Sequence, residues 1–304
     1  MLLLTTAALA GDIAWSWDEG VQHRYHIVNK VELSEVFWMR SETNEERRAI
    51  GWTSEWDLLC TGKGPESKKT FLVSCQIDQL RIEAVPNAQS DIGDLQGILD
   101  EWDDRLVGAS VNLTVHGSGH ITDIELEDVK RDHQNDRSRE MVVSMRMFVE
   151  RAVAGLEVSL PKNGEPVEGG WPAKVPRLLS VPSSVGTVGG ADVISKLTEQ
   201  KGDLVTIETA YEGVRGPAVD TDADGRSANG VNLWAMKGFS RWQLNTRVGV
   251  VTRVETLCEG TLTPSSALAI QAAPSPYIQA ITVQRRGPAN PLEPFGPNTV
   301  MKRE

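Results

Sequence analysis

Residues 56–77 read WDLLCTGKGPESKKTFLVSCQI. Two apolar runs, Trp56 to Cys60 and Phe71 to Ile77, flank Thr61-Gly62-Lys63-Gly64-Pro65-Glu66-Ser67. Glycine and proline at that density mark a connection between extended segments. The stretch therefore predicts an antiparallel β-hairpin with one cysteine on each arm. A Cys60–Cys75 disulfide would close a loop of about 15 residues, which contributes about 3 kcal/mol by restricting the unfolded chain. Two buried free thiols are the alternative. Cys258, the remaining cysteine of three, is expected to pack as a small hydrophobe.

Upstream of the hairpin, Trp15 and Trp17 stand at strand spacing and share a side. A long strand is expected from Val21 to Leu33, with Tyr25, Ile27, Val31 and Leu33 on one face, and another from Val36 to Met39. Downstream, Ser90 caps a helix to Leu106. Its Ile92, Leu95, Leu99, Trp102 and Leu106 recur at steps of three and four, and Gly108 stops it. A hairpin follows, from Ala109 through Gly117-Ser118-Gly119 to Leu126. A second helix is expected over Asp136 to Gly155, with Met141, Met145, Phe148 and Ala152 on one stripe.

Residues 160–184 hold five prolines, Pro161, Pro166, Pro172, Pro176 and Pro182. Proline lacks the amide donor a ladder needs, so the stretch reads as a linker. Beyond it only strands are expected: Ala191–Thr198, Asp203–Tyr211, Val231–Phe239, Trp242–Leu257, Ser266–Ala272 and Tyr277–Gln284. Charge divides at the same place. Residues 1–160 carry 16 Lys+Arg and 28 Asp+Glu, against 15 and 14 in residues 161–304. The resulting fold class is α+β: curved antiparallel β-sheets with two amphipathic helices in the N-terminal half, then an all-β C-terminal half. The expected organisation is a signal peptide over 1–10, an α+β domain over 11–160, a Pro/Gly-rich linker over 161–190, a β domain over 191–286 and a tail over 287–304.

At 304 residues, 40% of them apolar and 24% charged, the chain has the composition of a folded globular protein. A formal net charge of -11 counts against a nucleic-acid partner. No apolar run approaches the ~20 residues of a membrane-spanning helix. Residues 1–10, MLLLTTAALA, are an apolar run ending in the small-x-small pattern of signal-peptide cleavage, although no basic residue precedes it. A buried first strand is the other reading. Export to the periplasm or outside the cell is the expectation, and it suits the cysteine pair.

The chemistry is sparse. A nucleophile elbow, a phosphate loop, a dinucleotide fingerprint and H-E-x-x-H are all missing from the sequence. His23 and His26 sit three apart on a strand and face opposite sides. His116 and His120 flank the Gly117-Ser118-Gly119 turn. Asp220-Thr221-Asp222-Ala223-Asp224-Gly225 resembles the opening of an Asp-rich calcium loop, because three carboxylates converge when glycine permits a sharp turn. Val231 stands where the bidentate glutamate would be, so Asp220, Asp222 and Asp224 are expected to bind Ca2+ weakly or to form a solvated turn. No other cofactor is expected. Asp100 to Asp104 form a solvated helix face. Met141, Met145 and Phe148 either pack a helix on a sheet or form one wall of an apolar ligand pocket. Gly119 to Glu125 and Gly249 to Glu255 share G-x-[IV]-T-x-[IV]-E, the mark either of any half-buried hairpin or of a duplicated β unit.

The Gly20 to Tyr25 opening, the Ile121/Ile124 hairpin with a helix after it, and Leu160-Pro161 make residues 18–160 similar to the N-terminal β-domain of vitellogenin-type lipid transfer proteins. Helices laid on a curved antiparallel sheet also resemble bacterial lipoprotein carriers. The resemblance rests on element order and carries over no functional residue. It implies handling of lipid or another apolar ligand. The expected function is an exported, non-enzymatic binding protein for an apolar small molecule or lipid. A protein-interaction or assembly module of a cell-surface system and an unrecognised hydrolase are the alternatives.

Overall fold

The hairpin is the middle of a longer pair. In the computed structural model, which describes residues 13, 15–37, 47–84, 95–129, 138–161, 169–173, 193–214, 230–265 and 275–286, β2 (Arg47–Pro65) and β3 (Thr70–Ala84) run antiparallel with Cys60 directly opposite Cys75. The two sulfurs are bonded. Before them lies β1 (Gln22–Phe37), and after them the helix α1 (Leu95–Leu106), then β4 (Ser110–His116) and β5 (Ile121–Glu127). The second helix, α2 (Ser138–Val153), ends in a 3-10 turn at Ala154–Leu156. The rest of the described chain is strand: β6 (Trp171–Pro172), β7 (Ile194–Lys201), β8 (Leu204–Val214), β9 (Gly230–Asn245), β10 (Val250–Ser265) and β11 (Ser275–Arg286).

All eleven described strands form one sheet in the order β5-β4-β3-β2-β1-β11-β10-β9-β8-β7-β6, and each of their pairings is antiparallel. Two meanders thus meet at the centre, where the first strand pairs with the last. Residues on both sides of the expected 161–190 linker contribute to this sheet, and Trp171–Pro172 within that stretch is itself a two-residue edge strand. The signal-peptide stretch 1–10, the Asp220–Gly225 loop, the expected strand 266–272 and the tail 287–304 lie outside the described residues.

Two strand boundaries differ from the sequence reading. The break expected between Leu33 and Val36 is only a bulge within the continuous β1. The break expected between Phe239 and Trp242 does not occur; β9 continues to Asn245 and the turn falls at residues 246–249. Gly238 stands mid-strand because a Cβ there would lie 2.3 Å from the Leu257 carbonyl oxygen across the ladder. It marks a close backbone approach, not a chain reversal.

The sheet is strongly curled, and two consecutive residues prove it. Trp15 donates its backbone N–H to Gly117 O, 3.0 Å, in the β4–β5 turn, while Ser16 donates to Gly249 O, 2.9 Å, in the β9–β10 turn. In a flat sheet those turns would be six strand spacings apart, roughly 29 Å. One peptide unit and two hydrogen bonds span only about 10 Å. Residues 157–160 brace the same end as a strap. Val158 and Leu160 donate to Gly119 O and Ser118 O, and Trp171 of the opposite edge donates its indole N–H to Ser159 O at 3.0 Å.

The concave face holds the core. Tyr25, Ile27 and Val31 alternate inward along β1, as Trp56, Leu58 and Cys60 do along β2, the period-two pattern of a half-buried strand. Leu99 and Leu106 of α1 and Met145, Phe148, Val149 and Ala152 of α2 pack against this face. Where the strap crosses, the chain needs Gly155: a Cβ there would sit 3.0 Å from Ile281 and 3.1 Å from Val283 side-chain atoms.

The shared G-x-[IV]-T-x-[IV]-E motif has a physical basis. Thr122 and Thr252 are each the extra residue of a β-bulge. Each hydroxyl donates across the hairpin at 3.1 Å, to Thr114 O and Gln243 O respectively. Thr198 fills the same role in the β7–β8 hairpin, with its hydroxyl 3.4 Å from Thr206 O. Bulges bend and twist the strands that carry them, and here they sit beside the turns of the curled sheet.

Candidate functional site: the concave face of the curled sheet

Two zones divide this face. Toward the braced end it is apolar: Ile27, Trp56, Val283, Val254, Trp242 and Ile207 stand side by side in the ladder and are buried. The next row crosses the sheet as Ser195, Thr209, Ser240, Thr256, Ile281, Asn29 and Ser54, in register. Its six polar members are all buried. Burying such groups is costly unless they are hydrogen-bonded, and most are. Tyr211 donates its hydroxyl to Ser240 Oγ at 2.8 Å, Ser240 and Thr256 hydroxyls bond each other at 2.8 Å, and Ser195 bonds Thr209. On the other side of the centre Trp56 donates its indole N–H to Ser54 Oγ at 2.9 Å. Asn29 Oδ1 and the Trp242 indole nitrogen are buried with no hydrogen-bond partner.

Burial pushes the Tyr211 hydroxyl well above its ordinary pKa and the Cys258 thiol up to about 12. Neither ionises near neutrality.

Four histidines are described, each beside a polar or charged partner. His26 is on the convex face, 3.2 Å from Asp57. His116 Nδ1 accepts the Ser118 backbone N–H at 3.1 Å and lies 2.7 Å from the Ser118 hydroxyl. The nearby carboxylate, Glu157, instead faces His120 at 3.3 Å. These interactions fasten the turn and the strap, and leave both histidines half-buried.

His23 points into the concave face beside Trp17, with ring centroids 5.1 Å apart. Arg285 Nη1 donates to His23 Nδ1 at 3.1 Å, which requires a neutral ring. Burial first, and then the Arg285 charge, lower its pKa from 6.5 to about 4, with Asp18 opposing. Between those values the unfolded chain binds a proton that the native chain does not. The stabilisation from this group is therefore intact above pH 6.5 and is lost as pH falls toward 4. The melting temperature is expected to fall less between pH 7 and pH 5 in His23→Gln than in the wild type. Equal falls would show that His23 carries none of the acid sensitivity.

Of the residues expected to form a pocket, Met145 and Phe148 face the sheet from α2 and are buried. Phe148 packs among Trp56, Trp102 and Trp52 with ring centroids at 5.0, 5.4 and 6.2 Å. Met141 belongs to α2, but its side chain lies outside the described residues, as do Asp220, Asp222 and Asp224. Among the described residues no group of three or more His, Cys, Asp or Glu could hold a metal ion. No described helix is long and apolar enough to cross a membrane. Sequence reading missed the polar row. Its only signal is Ser, Thr and Asn at inward positions of otherwise apolar strands, which becomes a row only once distant strands are paired.

Neither a protein-family model nor a curated protein matches this chain. Among solved structures, one described as concerning lipid–protein interactions in lipovitellin superposes with a TM-score of 0.52 at 10% identity, over 92% of this chain and 27% of that one. DynF, from the dynemicin biosynthesis pathway of Micromonospora chersina, covers 93% of this chain and 86% of its own, at 7% identity and a TM-score of 0.21, from which nothing about the fold follows. This chain therefore spans about a quarter of the lipovitellin chain, and what it shares with that protein is a fold: a large antiparallel β-sheet.

Proposed function

We propose that this is an exported, non-enzymatic binding protein whose ligand is an apolar small molecule or lipid, taken up against the concave face. The observation that carries the reading is the curled sheet itself. It curls eleven described strands around an apolar interior with a hydrogen-bonding row across it, the combination of apolar walls and a few fixed polar groups that small-molecule sites use. Likeness in fold to lipovitellin, a protein described by its lipid contacts, supports the same ligand class. The Cys60–Cys75 disulfide fits an oxidising compartment.

Solvent extraction of the purified protein followed by mass spectrometry tests it. Lipid or another apolar compound is expected near one equivalent per chain, and added lipid is expected to displace an apolar fluorescent dye. Protein that carries no extractable apolar compound and shows no dye displacement would refute the reading.

A further inference from the structure

The convex face of β7–β10 is self-complementary, and we propose that it is the interface of a homodimer in which two copies pack sheet to sheet. Three register-aligned rows carry the argument.

The first row is Ile194, Ala210, Phe239 and Leu257, one residue from each of β7, β8, β9 and β10. Ile194 is 45% exposed and Phe239 41%, though Ser195 and Ser240 beside them are fully buried on the other face. Ala210 is exposed as well and Leu257 partly so, which makes an apolar strip across four strands of a half-polar face. The second row is Lys196, Glu208, Arg241 and Glu255, alternating in sign. Within the chain Arg241 reaches Glu208 at 2.6 Å and Glu255 at 3.8 Å. The third row is Glu199, Thr206, Gln243 and Arg253.

A twofold axis parallel to the strands, running between β8 and β9, exchanges β8 with β9 and β7 with β10. It sets Phe239 of one copy over Ala210 of the other, large against small, and Ile194 over Leu257. The same operation sets Lys196 against Glu255 and Glu208 against Arg241, and in the third row Glu199 against Arg253. Every charge meets its opposite. A twofold axis along the apolar row would instead put the second row against the flank holding Lys237 and Glu259, so that Arg241 met Lys237 and Glu255 met Glu259. Charge therefore selects one of the two isologous arrangements. The selected one keeps the strands of the two sheets nearly aligned, and because both faces are convex the pairs nearest the axis, Phe239 with Ala210 and Glu208 with Arg241, lie closest. Three rows on four strands make a patch at the small end of specific interfaces, so the dimer is expected to dissociate on dilution.

Sedimentation velocity on the full chain over a concentration series tests this with three variants, each checked for a native melting transition. Wild type is expected to show a concentration-dependent dimer. Glu208→Arg places two like-charge pairs across the axis and is expected to weaken the dimer by roughly 100-fold. Phe239→Asp is expected to do the same by removing the apolar anchor. The double variant Glu208→Arg, Arg241→Glu breaks the alternation within each chain but restores opposite charges across the axis, so its dimer is expected to return. A wild type that stays monomeric into the hundreds of micromolar would overturn the proposal. So would a dimer indifferent to Glu208→Arg and Phe239→Asp, or a double variant no better than the single reversal.

Discussion

Gly119→Ala is expected to destabilise the protein by about 3 kcal/mol or more, as a lowered urea midpoint at unchanged slope. Two costs combine. Gly119 holds φ +86, where a side chain costs about 1–2 kcal/mol. Its missing Cβ also leaves room for the strap: a methyl group there would lie 2.4 Å from Val158 O and 2.5 Å from a Val158 methyl carbon. Val158 is fully buried and donates to Gly119 O, so the strap cannot withdraw without losing that bond and its packing. Gly108→Ala separates the two costs. Its φ is +92, but nothing lies within 4 Å of the added carbon, so only the conformational part is expected. If the two variants lose equal stability, the strap is not seated as described.

Removing the Cys60–Cys75 disulfide is expected to cost about 3 kcal/mol. The bond joins directly paired residues of β2 and β3, and both sulfurs are buried in the core. The measurement compares urea unfolding of the wild type with and without reductant, equilibrated through the unfolded state so that the buried bond is reached. A Cys60→Ala, Cys75→Ala variant is expected to match the reduced wild type once its small loss of packing is allowed for. Identical midpoints for oxidised and reduced protein would show that no disulfide forms in solution.

What the sequence discloses here is local. The β2–β3 hairpin is legible because its turn residues and apolar arms lie within 22 consecutive positions. α1 and α2 are legible because Leu99, Trp102 and Leu106, and Met145, Phe148 and Ala152, repeat at helical steps. Alternation says which side of a strand is apolar but not which strand lies beside it. Nothing in Tyr25 or Ile27 names Arg285 or Val283 as a neighbour, and so one continuous sheet cannot be read from its pieces. The same limit hides the polar row and the convex charge pattern, each drawn from strands far apart in sequence. Gly238 misleads for another reason: a glycine needed for close approach and a glycine needed for a turn look alike until the partner strand is in place.

The meeting of the first and last strands at the centre of the sheet bears on how the chain acquires its structure. His23 and Arg285, which touch, are 262 residues apart. β1 can find β2 early, and β1 to β5 can assemble in order because each pairs with its neighbour in sequence. The edge of β1 that awaits β11 stays open until residues 275–286 reach it. Closing so long a loop is entropically unfavourable and slow, and an unpaired strand edge is a template for association in the meantime. The nascent chain therefore has a long window of vulnerability. Pairing of residues 275–286 with β1 is the event that closes that edge.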